Sequence, residues 1–200
     1  MKIILSLYFV LFLNIINAQK IDDGFLKIPD SLIGKNKLIA RIVPDKKYQS
    51  WEFIDYDSES LEKKIIFKFG KYLFKDSIID EGIFYECAPD YNCFNYLRIK
   101  EYKKKQLVIT KEQGFRNFLG KIDNLEEALL LIKTFDYGFD KKFAIGGSYK
   151  IEKKFIFIYC TSYLDYGMMF YKLKINRVSQ EIIIEKEGKI EGKSFPVWIS

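Results

Sequence analysis

The 200-residue chain predicts an α+β fold, a mainly antiparallel β-sheet built of hairpins with one or two central helices packed on it, at about 111–119 and 125–136. Three observations carry this. Short segments between Ile65 and Ile109 alternate apolar and polar residues, the pattern of half-buried strands. At Thr110 the spacing switches to i, i+3, i+4, which is one face of a helix. After Gly138 the strand pattern returns. Strands, then helices, then strands is the order of an α+β domain. A composition 48% hydrophobic and 17% aromatic can build a sizeable core and favours strands over a disordered chain.

The elements follow in order. "KLIARIV", 37–43, reads as a strand stopped by Pro44, and "WEFIDY", 51–56, as a second. "KIIFKFGKYLFKD", 64–76, reads as a hairpin turning at Gly70-Lys71, a Gly-X pair suited to a type II′ turn. "IFYEC" and "CFNYLRIKEY" flank "CAPDYNC" (87–93) as two further strands, and Lys103 to Lys105 form a charged tip before "QLVIT". Thr110 and Gln113 fit a capping box for the first helix, which carries Phe115, Phe118 and Leu119 and stops at Gly120. Asp123 with Glu126, or Asn124 with Glu127, caps the second. Its stripe is Leu125, Ala128, Leu129, Ile132 and Phe135. Leu130 and Leu131 lie off that stripe, so the helix must bury a broad face, most simply against a sheet. "SYKIE", "KFIFIYCTSY", "MMFYKLKIN" and "EIIIEKEG" complete the strands. "FIFIYC" is apolar on both faces, as in a central strand covered on both sides. The terminal "SFPVWIS" is expected to tuck Trp198 against the body.

The chain opens "MKIILSLYFVLFLNIINAQK". One basic residue, an apolar run from Ile3 to Ile16 and the small Ala18 make a secretory signal peptide, too short to span a bilayer of about 20 apolar residues. The expected organisation is a signal peptide at 1–18, a loosely ordered lead-in at 19–36 broken by Gly24, Pro29 and Gly34, and a single domain at 37–200. The expected location is a periplasm or the extracellular space of a bacterium, with no transmembrane span once the leader is removed.

There is no histidine. That removes Ser-His-Asp and Cys-His catalysis, histidine-ligated zinc and the usual proton shuttle near neutral pH. The formal charge of +6 comes mainly from lysines scattered among acidic residues. In an oxidising space, Cys87 and Cys93 are expected to form a disulfide across "APDY", where Pro89 suits the second position of a type I turn. Three cysteines without histidine do not supply a zinc site, and C-x5-C on a hairpin is not a redox motif. Cys160 lies in an apolar strand and reads as a buried small hydrophobe, although its pairing with Cys87 or Cys93 stays open.

Other motifs fall short. Asp55, Asp57 and Glu59 are spaced like the start of a calcium loop, but Ser60 and Ile66 stand where the turn Gly and the bidentate Glu belong. Ser60 and Lys63 match Ser-x-x-Lys without its supporting motifs. "GGSYK" lacks the spacing of a phosphate loop. Asp136, Asp140, Asp165 and the Asp55 cluster supply carboxylates, and nothing in the sequence singles out a pair. "YLRIKEYKKK" and "FYKLKINR" interleave aromatic and basic residues as single-strand nucleic-acid binders do. Alternation on a half-exposed strand writes the same text, so no nucleic acid is expected. An anionic envelope surface or an acidic partner suits these stretches better.

These observations point to a small exported, non-catalytic binding or interaction protein, such as an inhibitor, an immunity-type partner or an envelope accessory. No catalytic residue, cofactor or metal is expected, and the partner is another protein or an envelope surface. The competing readings are an exported hydrolase using carboxylates and a structural envelope component. Two convergent carboxylates about 5–10 Å apart in a deep pocket would favour the hydrolase.

Overall fold

The computed structural model describes residues 21–57, 60–85, 93–164 and 167–190. Within them the chain forms two five-stranded antiparallel sheets. The C-terminal sheet runs β1 (Leu26–Lys27), β7 (Ser148–Ile151), β8 (Phe155–Leu164), β9 (Gly167–Asn176) and β10 (Ile182–Lys189). The N-terminal sheet runs β3 (Glu62–Phe69), β2 (Ser50–Asp57), β5 (Cys93–Lys100) and β4 (Phe84–Tyr85), and β6 (Gln106–Ile109) pairs β5 beyond β4. The fold is α+β and mainly antiparallel, as the alternation predicts.

The off-stripe leucines explain the layering. Helix α1 spans Lys35–Ile39, α2 Glu112–Leu119 and α3 Leu125–Lys133. Ala128 through Ile132 are all fully buried, so α3 is apolar all round. One core cluster joins these residues to the inner faces of both sheets: Trp51, Phe53, Leu97 and Ile99 on one side, and Ile156, Ile158, Leu173 and Ile175 on the other. A helix between two sheets needs apolar residues on two opposite faces, which is the broad face the sequence demanded. Phe115 and Phe118 of α2 meet Phe53 and Trp51 edge-on, at ring separations of 6.3 and 5.2 Å. The turn after β9 ties the same layer to the other sheet. Arg177 donates to the carbonyls of Ile122 and Asp123 at 2.9 and 2.8 Å, and Gln180 donates to that of Arg116 at 2.8 Å.

Several expectations need correction. "KLIARIV" is not a strand. Residues 35–39 are helical, placing Leu38 and Ile39 side by side in the core. A short apolar run does not distinguish helix from strand by period. Residues 21–36, expected as a loosely ordered lead-in, carry β1 and a 3-10 turn, and they put Ile28 and Leu32 into the main core. Gly70 does not turn a hairpin. It has φ +80, and a Cβ there would lie 2.6 Å from the carbonyl of Gln49. The chain leaves β3 at that point and residues 71–83 cross the outer face of the N-terminal sheet as an irregular strap. The hairpin partner of β3 is β2, from Trp51↔Phe69 to Asp57↔Glu62.

The helix caps also differ. Lys111, with no side-chain cap, precedes α2, while the Thr110 hydroxyl donates to Glu81 at 2.8 Å. At α3 the Asn124–Glu127 alternative is the one formed. Asn124 Oδ1 accepts from the Glu127 N–H, and Glu127 accepts from the Asp123 N–H, both at 2.8 Å. The helix ends at Lys133 and Phe135 is left partly exposed. β8 is central in its sheet, as "FIFIYC" implies. Trp198 lies outside the described residues, and among those described no helix is long and apolar enough to cross a membrane.

Candidate functional site

The N-terminal sheet carries the candidate surfaces, because its strands end in charged or uncovered side chains. At one end of the β2–β3 hairpin an open groove of about 350 Å³ is lined by Asp55, Asp57, Glu62, Lys64, Cys93 and Asn95. Its floor is a buried polar chain. Lys35 Nζ of α1 donates to Asn95 Oδ1, and Asn95 Nδ2 donates to Asp55 Oδ1 at 2.5 Å. The chain pins α1 to β5 and β2. Of the acidic turn, Asp55 and Asp57 line this groove with Glu62, and Glu59 lies outside the described residues. Among the described residues, however, no three His, Cys, Asp or Glu side chains converge as a metal-binding group.

A general acid needs a carboxyl whose pKa is raised within reach of substrate. Burial raises that of Glu127, against the pull of hydrogen bonds from the Val43 and Asp123 backbone. Glu127 is completely buried between the layers, and its two oxygens are taken by those two N–H groups. It closes the helix cap and has no path to a ligand. Asp136 and Asp140 do not join the Asp55 groove. Asp136, at φ +60, lines a separate groove with Lys133 and Tyr137, and Asp140 accepts from the backbone of Lys142 and Phe143. Asp165 lies outside the described residues.

The cysteines divide the same way. Cys160 is a free, fully buried thiol that donates to the Tyr171 carbonyl at 3.8 Å, with its pKa pushed up by burial. It is the small hydrophobe the sequence predicts. Cys93 opens β5, whereas Cys87 lies outside the described residues. The flanking strands pair antiparallel, Phe84↔Asn95 and Tyr85↔Phe94, as a hairpin around "CAPDYNC" requires.

The outer face of this sheet holds two features the sequence reading missed. Under the strap, Arg98 Nε donates to Glu52 Oε1 at 2.6 Å, and Arg98 Nη1 lies 3.3 Å from Asp76 of the strap. Glu52 and Arg98 are register partners on β2 and β5, both buried. Beside them Tyr56, Leu61, Ser77, Ile78, Ile79 and Tyr96 line a notch of about 250 Å³. Tyr96 is buried and its hydroxyl has no hydrogen-bond partner among the described residues. At the rim Ile78 is fully exposed, and Leu61, 70% exposed, is held at φ +56, an unusual conformation for leucine. An unpartnered buried hydroxyl beneath two bared aliphatic side chains is costly for a protein that meets only water. The sequence signal was thin. Leu61 and Ile78 stand in separate polar stretches, and only their isolation among charges marked them.

At the opposite end of the sheet, residues 71–75 of the strap meet the β5–β6 turn. Lys75 and Gln106 exchange hydrogen bonds at 2.8 and 2.9 Å, and Lys100 Nζ sits 5.3 Å from the centre of the Tyr72 ring. Comparison with protein-family models, with curated proteins and with solved structures finds no match, so the reading of these surfaces rests on their chemistry.

Proposed function

We propose that this chain is an exported, non-catalytic binding protein whose protein partner seats an apolar side chain in the notch between Leu61 and Ile78. The observation that carries the reading is the pair of bared aliphatic side chains, Leu61 and Ile78, lining a notch together with the buried Tyr96, whose hydroxyl has no partner among the described residues. A partner carbonyl or carboxylate beside its apolar anchor would accept from that hydroxyl and remove the cost of leaving it unmade. Export rests on the apolar leader at 1–18. In the Cys87–Cys93 disulfide proposed for the oxidising compartment, Cys93 also borders the acidic groove.

The reading is tested by placing a photo-crosslinking residue at position 78 in the producing cell, with the exposed Glu152 as control position. One partner captured at 78 in fixed stoichiometry, absent at 152, and lost when Leu61→Asp is added, is the expected result. Equal capture at both positions would sink it. Hydrolysis of ester, glycoside or peptide substrates, abolished by Asp55→Asn, would replace it with the carboxylate hydrolase.

A further inference from the structure

The β5–β6 turn and the start of the strap together make a surface of one charge sign. Lys71 and Lys75 of the strap stand beside Lys100, Lys103, Lys104 and Lys105 of the turn, and their contact is fixed by the Lys75–Gln106 and Lys100–Tyr72 interactions. In residues 71–75 and 100–107 the single acidic residue is Glu101. It is already engaged by Lys104 and Lys46, which hold its carboxyl below the usual range. Apolar side chains project among these lysines: Leu73 is 82% exposed, Tyr102 64%, and Leu107 about half. The turn carries Lys103 at φ +59 at its tip.

We propose that this end of the N-terminal sheet docks onto an anionic lipid surface. Lysines gain from a negatively charged leaflet, and their stems lie along apolar surface while the ammonium reaches the headgroups. Leucine and tyrosine at the same end suit the boundary between headgroups and acyl chains. The alternative of a single-stranded nucleic acid needs a run of open ring faces for base stacking. Here Tyr72 lies under Lys100 and Phe74 lies under Arg98, at 5.3 and 5.5 Å. Tyr102 is well exposed, and Phe69, about half exposed, is stacked on Trp51. An acidic polypeptide would use the charge and leave Leu73 and Tyr102 without a role. The proposal concerns a different face from the notch and does not depend on it.

The test uses the whole chain as the producing cell exports it, its N-terminus fixed by intact mass. It is floated with vesicles of phosphatidylcholine alone or with about a third phosphatidylglycerol. Binding should need the anionic lipid and should fall away as salt rises. A leader left uncleaved would insert into both vesicle types, so it cannot mimic that dependence. Neutralising three lysines with Lys71→Gln, Lys103→Gln and Lys105→Gln should weaken binding to anionic vesicles by roughly a hundredfold, each lysine contributing about fivefold. Leu73→Gln should weaken it less, and Lys153→Gln in the β7–β8 turn of the other sheet should leave it unchanged. These positions are exposed, and unchanged thermal unfolding will show that each variant folds. Equal partitioning onto both vesicle types, or a triple variant that binds as the parent does, overturns the proposal. Binding to polyglutamate but not to anionic vesicles also overturns it and assigns the surface to an acidic polypeptide.

Discussion

The two sheets press on the same helices, yet they finish their outer faces by different means. The C-terminal sheet covers its outer face with the N-terminal segment, whose Ile21 and Phe25 pack on a buried cluster of Ile145, Tyr159, Met168 and Phe170, and with pairs between neighbouring strands. Lys174 lies 4.4 Å from the centre of the Phe155 ring, Lys172 bonds Asp22 at 2.7 Å, and Phe25 packs edge-on against Tyr159. The lysine contacts are partly buried, and Tyr159 is fully buried beneath Phe25. The N-terminal sheet instead is crossed by the strap, which seals a buried ion pair, Glu52–Arg98, and leaves a notch with an unpartnered hydroxyl. Each sheet keeps a buried tyrosine hydroxyl without a partner among the described residues, Tyr96 in one and Tyr159 in the other, so that feature does not separate them. What separates the faces is the strap, which buries a charge pair and leaves the aliphatic side chains of Leu61 and Ile78 bare at its edge, and departures of this kind from local rules are where function concentrates.

The largest effect that tests this contrast comes from the buried pair. Arg98→Met removes the cation and leaves Glu52 buried, with only Lys68 nearby at 3.7 Å. We expect a loss of about 4 kcal/mol by urea unfolding. Adding Glu52→Leu should restore most of it, since replacing both partners removes the stranded charge. A single variant as stable as the parent would show that the strap is too loose to bury the pair. Next, Leu131→Ala in α3 should cost about 3 kcal/mol, because that position is enclosed by both sheets and has little freedom to collapse. A cost near zero would mean that the helix layer is not shared.

The proposed Cys87–Cys93 disulfide gives a smaller effect. Reduction should lower stability by about 2 kcal/mol on the chain-entropy model. Alkylation of the unfolded chain without reductant should label one thiol, Cys160, which resists labelling in the folded protein. Three labels would exclude the bond.

Glu127 gives a pH effect of known sign. Its folded pKa lies above the ordinary 4.5, the reverse of a salt-bridged carboxylate. Below 4.5 both states are protonated and the group is neutral to stability. As pH rises past 4.5 the unfolded chain releases its proton while the fold retains it, so stability falls until the raised folded pKa is passed. Glu127→Gln keeps one acceptor oxygen and loses the other, a constant offset, but it removes that slope. The difference in unfolding free energy between parent and variant, measured from pH 4.5 to 8, should therefore decline with pH for the parent. A flat difference would show that Glu127 is not sealed.

Legibility in the sequence followed the range of the interaction. Alternation along β8, β9 and β10 and the period of α3 are set by residues next to one another, and both were readable. Leu130 and Leu131 even announced the second buried face of α3. Which strand pairs with which was not readable, because β1 joins β7 across more than a hundred residues. The strap was misread for a physical reason. "KYLFK" alternates like a strand, but Gly70 turns the chain across the sheet, where Tyr72 and Phe74 pack under Lys100 and Arg98. Of the candidate surfaces, the acidic groove was half visible in "DYDSESLE" and the lysine end in "YLRIKEYKKK" with its Lys103–Lys105 tip. The strap's share of the lysine end and the whole notch were not visible, since only the strap brings their segments together.

The smallest effect closes the comparison from the other side. Lys174→Gln removes an ammonium stacked on Phe155 at the surface of the C-terminal sheet, leaving the side-chain stem in place. A cation–π contact at a partly exposed site is worth about 0.5–1 kcal/mol. Lys174 also lies 3.7 Å from Glu185, a long, partly exposed pair that adds little. We therefore expect a loss below about 1 kcal/mol, a fraction of the Arg98→Met cost although both changes remove one cation from an outer sheet face. The cause of the difference is what lies above each cation, water over Lys174 and the strap over Arg98. High salt should shrink the Lys174 effect and leave that of Arg98 nearly unchanged, because screening reaches exposed charges and largely spares buried ones. If the two variants cost the same and respond alike to salt, the outer faces are equivalent, and the strap loses its claim to mark the functional side.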